Sequence, residues 1–412
     1  MIQLEDAREL ILSECPVMES EHRPLAASLG CVTAEPIVAG EDVPPFLNSS
    51  MDGYAVRSAD VAKPSARLRV VDTVMAGDGR LVGIGKGEAV RIMTGAPLPE
   101  GADAVCMVER TRSESDGQWV VIEDSVPAGN SVRRPGSDIA AGEEVVAIGT
   151  ELTAAHLGVL ARLGLESVPV YRPPKVGVLS TGDELREGPA ALPRGAIRDG
   201  NRPMLIALIE QAGYTTIDLG IFPDDATTLR EAFQKAASEC DALVTSGGVS
   251  VGDLDVVRIV LSEMCGQSMR WMQVAIRPAK PLAFGLIDGR VPVFGLPGNP
   301  VSSMVSFELF ARPALRRMGG HNETARPTLS GVADVDLPRD PDGKVHLLRA
   351  LATVDAAGRL HVRPSGGQES HQLMAMADAN ALVVLPDGPG VRAGDEVGVL
   401  LLDAERLRSS GS

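Results

Sequence analysis

Between residues 170 and 320, short apolar runs alternate with amphipathic stretches, and this alternation restricts the chain to few architectures. "KVGVLS", "TIDLGIF" and "DALVTS" read as buried strands, each followed by a helical pattern: "RPMLIALIEQAG", "DATTLREAFQKAASE" and "DLDVVRIVLSEM". In the first helix Met204, Leu205, Leu208, Ile209 and Ala212 form one apolar stripe. "PLAFGLI" and "VPVFGL" follow as strands, and "PVSSMVSFELFARPALRRMG" closes the segment as a helix. Strands separated by helices need right-handed crossovers, which predicts a parallel sheet covered on both faces. In such sheets ligands bind beyond the carboxyl ends of the strands, so the loops there carry the chemistry.

The flanks have a different rhythm. Residues 1–29 read as a helix and its exit, with Leu4, Ala7, Leu10 and Ile11 at helical spacing. From about 66 to 150 the runs "RLRVVDTV", "EAVRIM", "DAVCMVE", "WVVIED" and "EEVVAI" are punctuated by Gly and Pro, which predicts a β-rich module. "TAAHLGVLARLG" is a short helix closed by Gly164, and His156 within it reads as a packed histidine rather than a ligand. Beyond "GGHNETARP" the runs "KVHLLRA", "LHVRPS", "NALVVLP" and "DEVGVLLL" suit a small antiparallel barrel or sandwich. The expected fold class is thus multidomain α/β plus β. Its parts are a helical region of residues 1–45 with 140–169, a β-rich module 46–139, an α/β domain 170–322 and a C-terminal β domain 323–405.

Composition excludes several functions. Among 412 residues, 44% are hydrophobic and 23% charged, as in folded globular chains. No apolar run approaches the roughly 18–20 residues that span a bilayer, and the charged N-terminus lacks the order of a signal peptide, so no membrane partner and a cytoplasmic location are expected. The five cysteines are scattered without a CxxC, and the six histidines form no HExxH, which argues against disulfide and zinc frameworks. A net charge of −16 opposes binding to nucleic acid, whose phosphates are held by basic surfaces.

Three loops stand at predicted strand ends: "STGDEL" (180–185), "TSGGVSVGD" (245–253) and "LPGNP" (296–300). Gly247, Gly248 and Gly252 let backbone N–H groups approach an oxyanion, and the helix beyond adds partial positive charge. Asn299 is placed to cap the last helix, with Pro300 in its first turn. Yet Asp183, Glu184 and Asp253 share the rim, and bare carboxylates repel phosphate. A Mg²⁺ held by one or two carboxylates and by phosphate oxygens removes that conflict. Taken singly, each loop reads equally well as a turn with a capped helix; three at neighbouring strand ends point to a phosphate site. Arg277 and Lys280 of "RPAKP" add a pair suited to a tetrahedral oxyanion or pyrophosphate, or to a solvated loop. Arg133 and Arg134 are weaker candidates, and "GIGKGE" lacks P-loop spacing and reads as a β-turn.

Eight stretches occur in order: "PPFLNSSMDGYAVR", "RIMTGAPLPEGADAV", "VRRPGSDIAAGE", "VGVLSTGDEL", "TSGGVSVGD", "RPAKPLAFG", "LPGNPVSSMVSFE" and "SHQLMAMADANALVVLP". Together they resemble, over nearly the full length, the MoeA-type molybdopterin molybdenumtransferase family, which includes the E domain of gephyrin. The resemblance implies an elongated homodimer that inserts molybdate into adenylylated molybdopterin, with a divalent metal, usually Mg²⁺, and releases AMP. It implies a cleft between the α/β domain of one subunit and loops of the other.

Carried over by position, the resemblance puts Asp183, Glu184 and Asp253 on metal-associated loops and Asp224 on another acidic position of the cleft. Ser180, Thr181, Gly182, Ser246, Gly247, Gly248, Ser250 and Gly252 fall on the substrate loops, as do Pro297, Gly298, Asn299, Pro300 and Ser302. Arg277 and Lys280 fall near pyrophosphate and molybdate, where the family more often has lysine first. Arg349 and Ser370 fall near molybdate, and Thr94 and Asp138 are brought by the partner subunit. One departure stands out: Leu47 occupies the place after "PPF" where the family usually has aspartate. The rival readings are molybdopterin adenylylation by ATP and a gephyrin-type scaffold. A neighbouring adenylyltransferase is a further possible partner, and the sequence leaves molybdate against tungstate open.

Overall fold

The computed structural model describes residues 1–248 and 256–409, and these divide into two compact units. One comprises residues 1–22, 30–34 and 169–412, and the other residues 23–29 and 35–168. Helix α1 (Leu4–Glu14) belongs to the first unit and buries Ala7 and Ile11 there.

The second unit is built on a six-stranded sheet. Its strands are β1 (Gly53–Val56), β2 (Ala66–Val74), β3 (Glu88–Ile92), β4 (Ala104–Met107), β5 (Thr111–Glu114) and β6 (Trp119–Ile122), in the spatial order β4-β1-β3-β2-β6-β5. Successive side chains point to opposite faces of a strand. Tyr54 and Ala55 accordingly enter different apolar clusters, the first with Leu68 and Ile122, the second with Val90 and Ile92. Helix α2 (Ala154–Arg162) ends as the sequence predicts, with Gly164 at φ +73°. His156, expected to be packed in the helix, is instead its third residue and closes a capping box. The Thr153 N–H donates to His156 Nδ1 at 3.1 Å and the His156 N–H to Thr153 Oγ1 at 3.4 Å. Satisfying orphan amides at a helix start decides its place.

In the first unit the predicted alternation is realised. The sheet contains β7 (Lys175–Thr181), β8 (Thr215–Phe222), β9 (Ala242–Ser246), β10 (Arg270–Gln273), β11 (Pro281–Ile287) and β12 (Val291–Leu296), ordered β8-β7-β9-β12-β11-β10. Four strands are parallel, but β11 runs antiparallel to both neighbours, so the sheet is mixed. The cause is local: Asp288 and Gly289, at φ +50° and +66°, make a tight turn that joins β11 directly to β12. Helix α3 (Asn201–Gln211) buries Leu205 and Ile209 against the face carrying Val176, Val244 and Phe294. Helices α4 (Ala226–Glu239) and α5 (Val256–Cys265) cover the other face, where Phe233, Val257 and Leu261 meet Leu179, Leu243 and Val293. The last helix runs through α6 (Pro300–Ser306), a π-helical turn (Phe307–Ala311) and α7 (Arg312–Met318).

The C-terminal strands β13 (Thr328–Ala333), β14 (Val345–Val354), β15 (Leu360–Pro364), β16 (Ala381–Leu385) and β17 (Glu396–Leu401) close into a five-stranded barrel. Pairing of β14 with both β15 and β16 selects the barrel over a sandwich. Its interior is filled by Ala350, Ala352, Val362, Val383 and Val399.

Candidate functional site

Strands β7, β9 and β12 lie side by side in parallel register, with Ser180 opposite Ser246 and Ser246 opposite Leu296. Their carboxyl ends therefore stop level with one another, and the three glycine-bearing bends start from adjacent points. A cavity of about 350 Å³ opens there, lined by Ser180, Thr181 and Glu184 of the first bend, Ser246 and Gly247 of the second, and Gly298 and Pro300 of the third. Gly247 adopts φ +98°, and a Cβ on it would stand 2.9 Å from the Thr181 carbonyl oxygen. Only glycine fits this close approach. Ser180 and Thr181 are buried, and their hydroxyls have no hydrogen-bond partner in the protein. Unsatisfied buried hydroxyls are rare, and beside a cavity they suit ligand oxygens.

The residue that joins the bends was missed by sequence reasoning. Asn201, first residue of α3, donates from Nδ2 to Ser246 Oγ at 2.7 Å and to the Gly298 carbonyl at 2.6 Å. Asp199 steadies that helix end by accepting the N–H groups of Asn201 and Arg202 at 3.1 and 3.2 Å. The string "RDGN" before an apolar helical run was a readable start signal, though not a signal for partners 45 and 97 residues away. His371 and Leu373, from the segment that precedes β16, line the same cavity. Ser370 does not line it; its carbonyl accepts the Val301 N–H at 3.2 Å, which ties this segment to the first turn of α6.

The remaining expected residues are distributed as follows. Asp183 is exposed next to Glu184, and its Oδ1 accepts the Asp224 N–H at 3.2 Å, so these two acidic loops touch. Gly182 takes φ +148°, Pro297 and Ser302 are buried, and Gly248 follows Gly247 at φ +68°. Asn299 occupies the N-cap of α6, but its side chain makes no capping bond; the helix start is set by Pro300 at its first position. Arg277 and Lys280 are exposed and do not line the cavity; Arg277 sits opposite His346 of β14. Arg349 is fully buried, contrary to the usual place of an arginine. Its Nη2 donates to the carbonyls of Gly367 and Glu369 at 2.7 and 3.3 Å, and Nε has no partner. Burial holds its pKa below the ordinary arginine value. It thus supports from beneath the segment leading to Ser370 and His371.

Thr94 and Asp138 lie in the other unit. Thr94 donates from both N–H and Oγ1 to Asp52 Oδ1, each at 2.7 Å, and these bonds hold the Asp52 carboxyl below its ordinary pKa. Asp52 stands in the quoted "SMDGYA" string yet was not singled out. Asp138 accepts from Arg162 Nη1 at 2.8 Å. Leu47 is exposed, beside exposed Phe46. Ser250, Gly252 and Asp253 lie outside the described residues. Among the described residues no three His, Cys, Asp or Glu side chains are grouped to hold a metal, and no helix is long and apolar enough to cross a membrane.

An α/β domain whose strand ends form a glycine-lined cavity, joined to a β-barrel and accompanied by a β-rich unit, defines a class of multidomain ligand-binding proteins. Three family models match this chain: the MoeA N-terminal region (domains I and II) over residues 2–164, a probable molybdopterin binding domain over 177–317, and the MoeA C-terminal region (domain IV) over 331–402. A molybdopterin molybdenumtransferase of Haemophilus influenzae is 38% identical, covering 96% of this chain and 98% of its own length. One from Bacillus subtilis is 35% identical over 94% of this chain and 91% of its own. The crystal structure of a molybdopterin biosynthesis MoeA protein from Pyrococcus horikoshii OT3 superposes with TM-score 0.79 at 29% identity, covering 97% of this chain and all of that one. The chain belongs to the MoeA family.

Proposed function

We propose that this protein inserts molybdate into adenylylated molybdopterin and releases AMP, acting in the cytoplasm as a homodimer. The observation that carries the proposal is the convergence of the three bends on one cavity with unpaired buried hydroxyls. Its volume suits the phosphate end of the substrate, with the larger ring systems outside. The hydroxyls of Ser180 and Thr181 hold phosphate oxygens, the Gly247 N–H being committed to the Leu296 carbonyl at 3.1 Å, while Asn201 fixes the spacing of the second and third bends. Ser302, Ser370, Arg277 and Lys280 form the molybdate side, with the fully buried Arg349 holding from beneath the segment that leads to Ser370, and Thr94 and Asp138 serve a neighbouring copy.

The donor set fits Mg²⁺. Glu184 faces the cavity, Asp183 adjoins it, and hard carboxylate oxygens numbering one or two are what this ion takes when phosphate supplies other ligands. Bound there, Mg²⁺ would neutralise charge on the phosphates as AMP departs. The chain's own part is to orient the phosphates and place both reactants together.

Purified protein incubated with adenylylated molybdopterin, Mg²⁺ and molybdate should release AMP. The double change Asp183→Ala and Glu184→Ala should slow this roughly 100-fold, as removal of transition-state charge stabilisation does elsewhere. AMP release that needs no molybdate, or that survives the double change, would overturn the proposal. ATP consumption without molybdate would instead support adenylylation. Tungstate in place of molybdate reads the oxyanion preference directly.

A further inference from the structure

A second cavity, of about 420 Å³, lies where the C-terminal end of α3 meets the π-helical turn, Arg326 and residues 402–405. Its inner wall is ionic. Glu308, in the π turn, is buried and accepts from Arg326 Nε at 2.8 Å and Nη2 at 3.3 Å. Each carboxylate oxygen thereby accepts one bond from Arg326. Arg312 approaches the same group only to 3.9 Å, and its Nη1 is buried without a hydrogen-bond partner. Two guanidinium groups thus share one carboxylate already committed to one of them. A buried charged donor left unpaired is costly, and such groups call for a counter-ion. Burial and the neighbouring Arg326 charge both push the Arg312 pKa below its ordinary value.

We propose that this pocket is a binding site for a small tetrahedral oxyanion of the phosphate kind, held between Arg312 and Arg326. Guanidinium forks match the oxygen spacing of such anions and bind them through charge-assisted bonds. The rim is acidic. Asp403 Oδ1 is engaged by the N–H groups of Glu405 and Arg406 at 3.0 and 3.3 Å, and Glu405 is exposed. These rim carboxylates oppose an anion of any size, so recognition rests on the guanidinium groups of Arg312 and Arg326 at the floor. The pocket is separate from the glycine-lined cavity. Helix α3 begins at the cavity with Asn201 and ends at the pocket with Gln211, roughly 15 Å apart at about 1.5 Å per residue. The last helix likewise begins at the cavity with Pro300 and reaches the pocket at Glu308.

The test is calorimetric titration of the full chain with inorganic phosphate at constant ionic strength. Saturable binding is expected, weakened at least tenfold by Arg312→Gln. Gln211 is an exposed lining residue whose change leaves the core intact. Gln211→Glu should weaken phosphate binding and Gln211→Lys should tighten it, both with wild-type thermal stability. The cavity change Gly247→Ala should leave the Arg312-dependent binding in place. No saturable binding, or binding indifferent to Arg312→Gln and to the charge at residue 211, overturns the proposal.

Discussion

Asn201 gives the sharpest test of how the cavity is held together. Its amide nitrogen makes two bonds, to the Ser246 hydroxyl and the Gly298 carbonyl, and so ties two separate bends to the start of α3. Each such bond is worth about 0.5–1.5 kcal/mol net, so Asn201→Ala should cost about 1–3 kcal/mol. Asn201→Asp separates geometry from volume. A hydroxyl can rotate and donate to a carboxylate, so the Ser246 contact survives. The Gly298 carbonyl cannot donate, and at 2.6 Å it would face a carboxylate oxygen. The aspartate variant should therefore be less stable than the alanine variant at neutral pH, despite its closer shape. Urea unfolding reads this as a lower midpoint at unchanged slope. AMP release should fall more than the stability loss alone accounts for, because the two bends would no longer be held in step. An aspartate variant as stable as wild type would refute the role given to the amide.

Gly247→Ala forces a Cβ toward the Thr181 carbonyl in a backbone region that other residues avoid, and should cost about 1–3 kcal/mol with loss of AMP release; a silent substitution would mean the bend is looser than described. Asp342 is held down to about 2, first by its bond to Lys344 and then by His346. A carboxylate lowered in the folded state adds stability above its unfolded value, about 3.9, that is lost as pH falls toward 2. Asp342→Asn should flatten thermal stability across that acidic window, as a melting series would show.

The strands and helices of the α/β domain were legible because their periodicities differ and because Gly and Pro mark their ends. The antiparallel return of β11 to β12 was also written, in the Asp288–Gly289 pair between two apolar runs, but the alternation around it favoured a parallel reading. The three bends could be placed at strand ends from sequence, yet their meeting depends on strand order, which is set by packing across the whole sheet. Asn201 was out of reach for the same reason. Arg349 was read as a ligand contact from resemblance, and nothing in a single string reveals that an arginine is fully enclosed. His156 shows the converse: an imidazole substitutes for the usual acid or amide in a capping box, a local exchange that an apolar-periodicity reading passes over.

The level endings of β7, β9 and β12 have a consequence for how such a site can change. Adjacent strands sit about 4.8 Å apart, so the first and third bends are separated laterally by roughly 10 Å, a distance fixed by backbone pairing rather than by any side chain. The sheet acts as a caliper. Bends may exchange residues and retune what they grip without altering that span, whereas a slip of one residue along any of the three strands would turn its end to the wrong face and dismantle the whole.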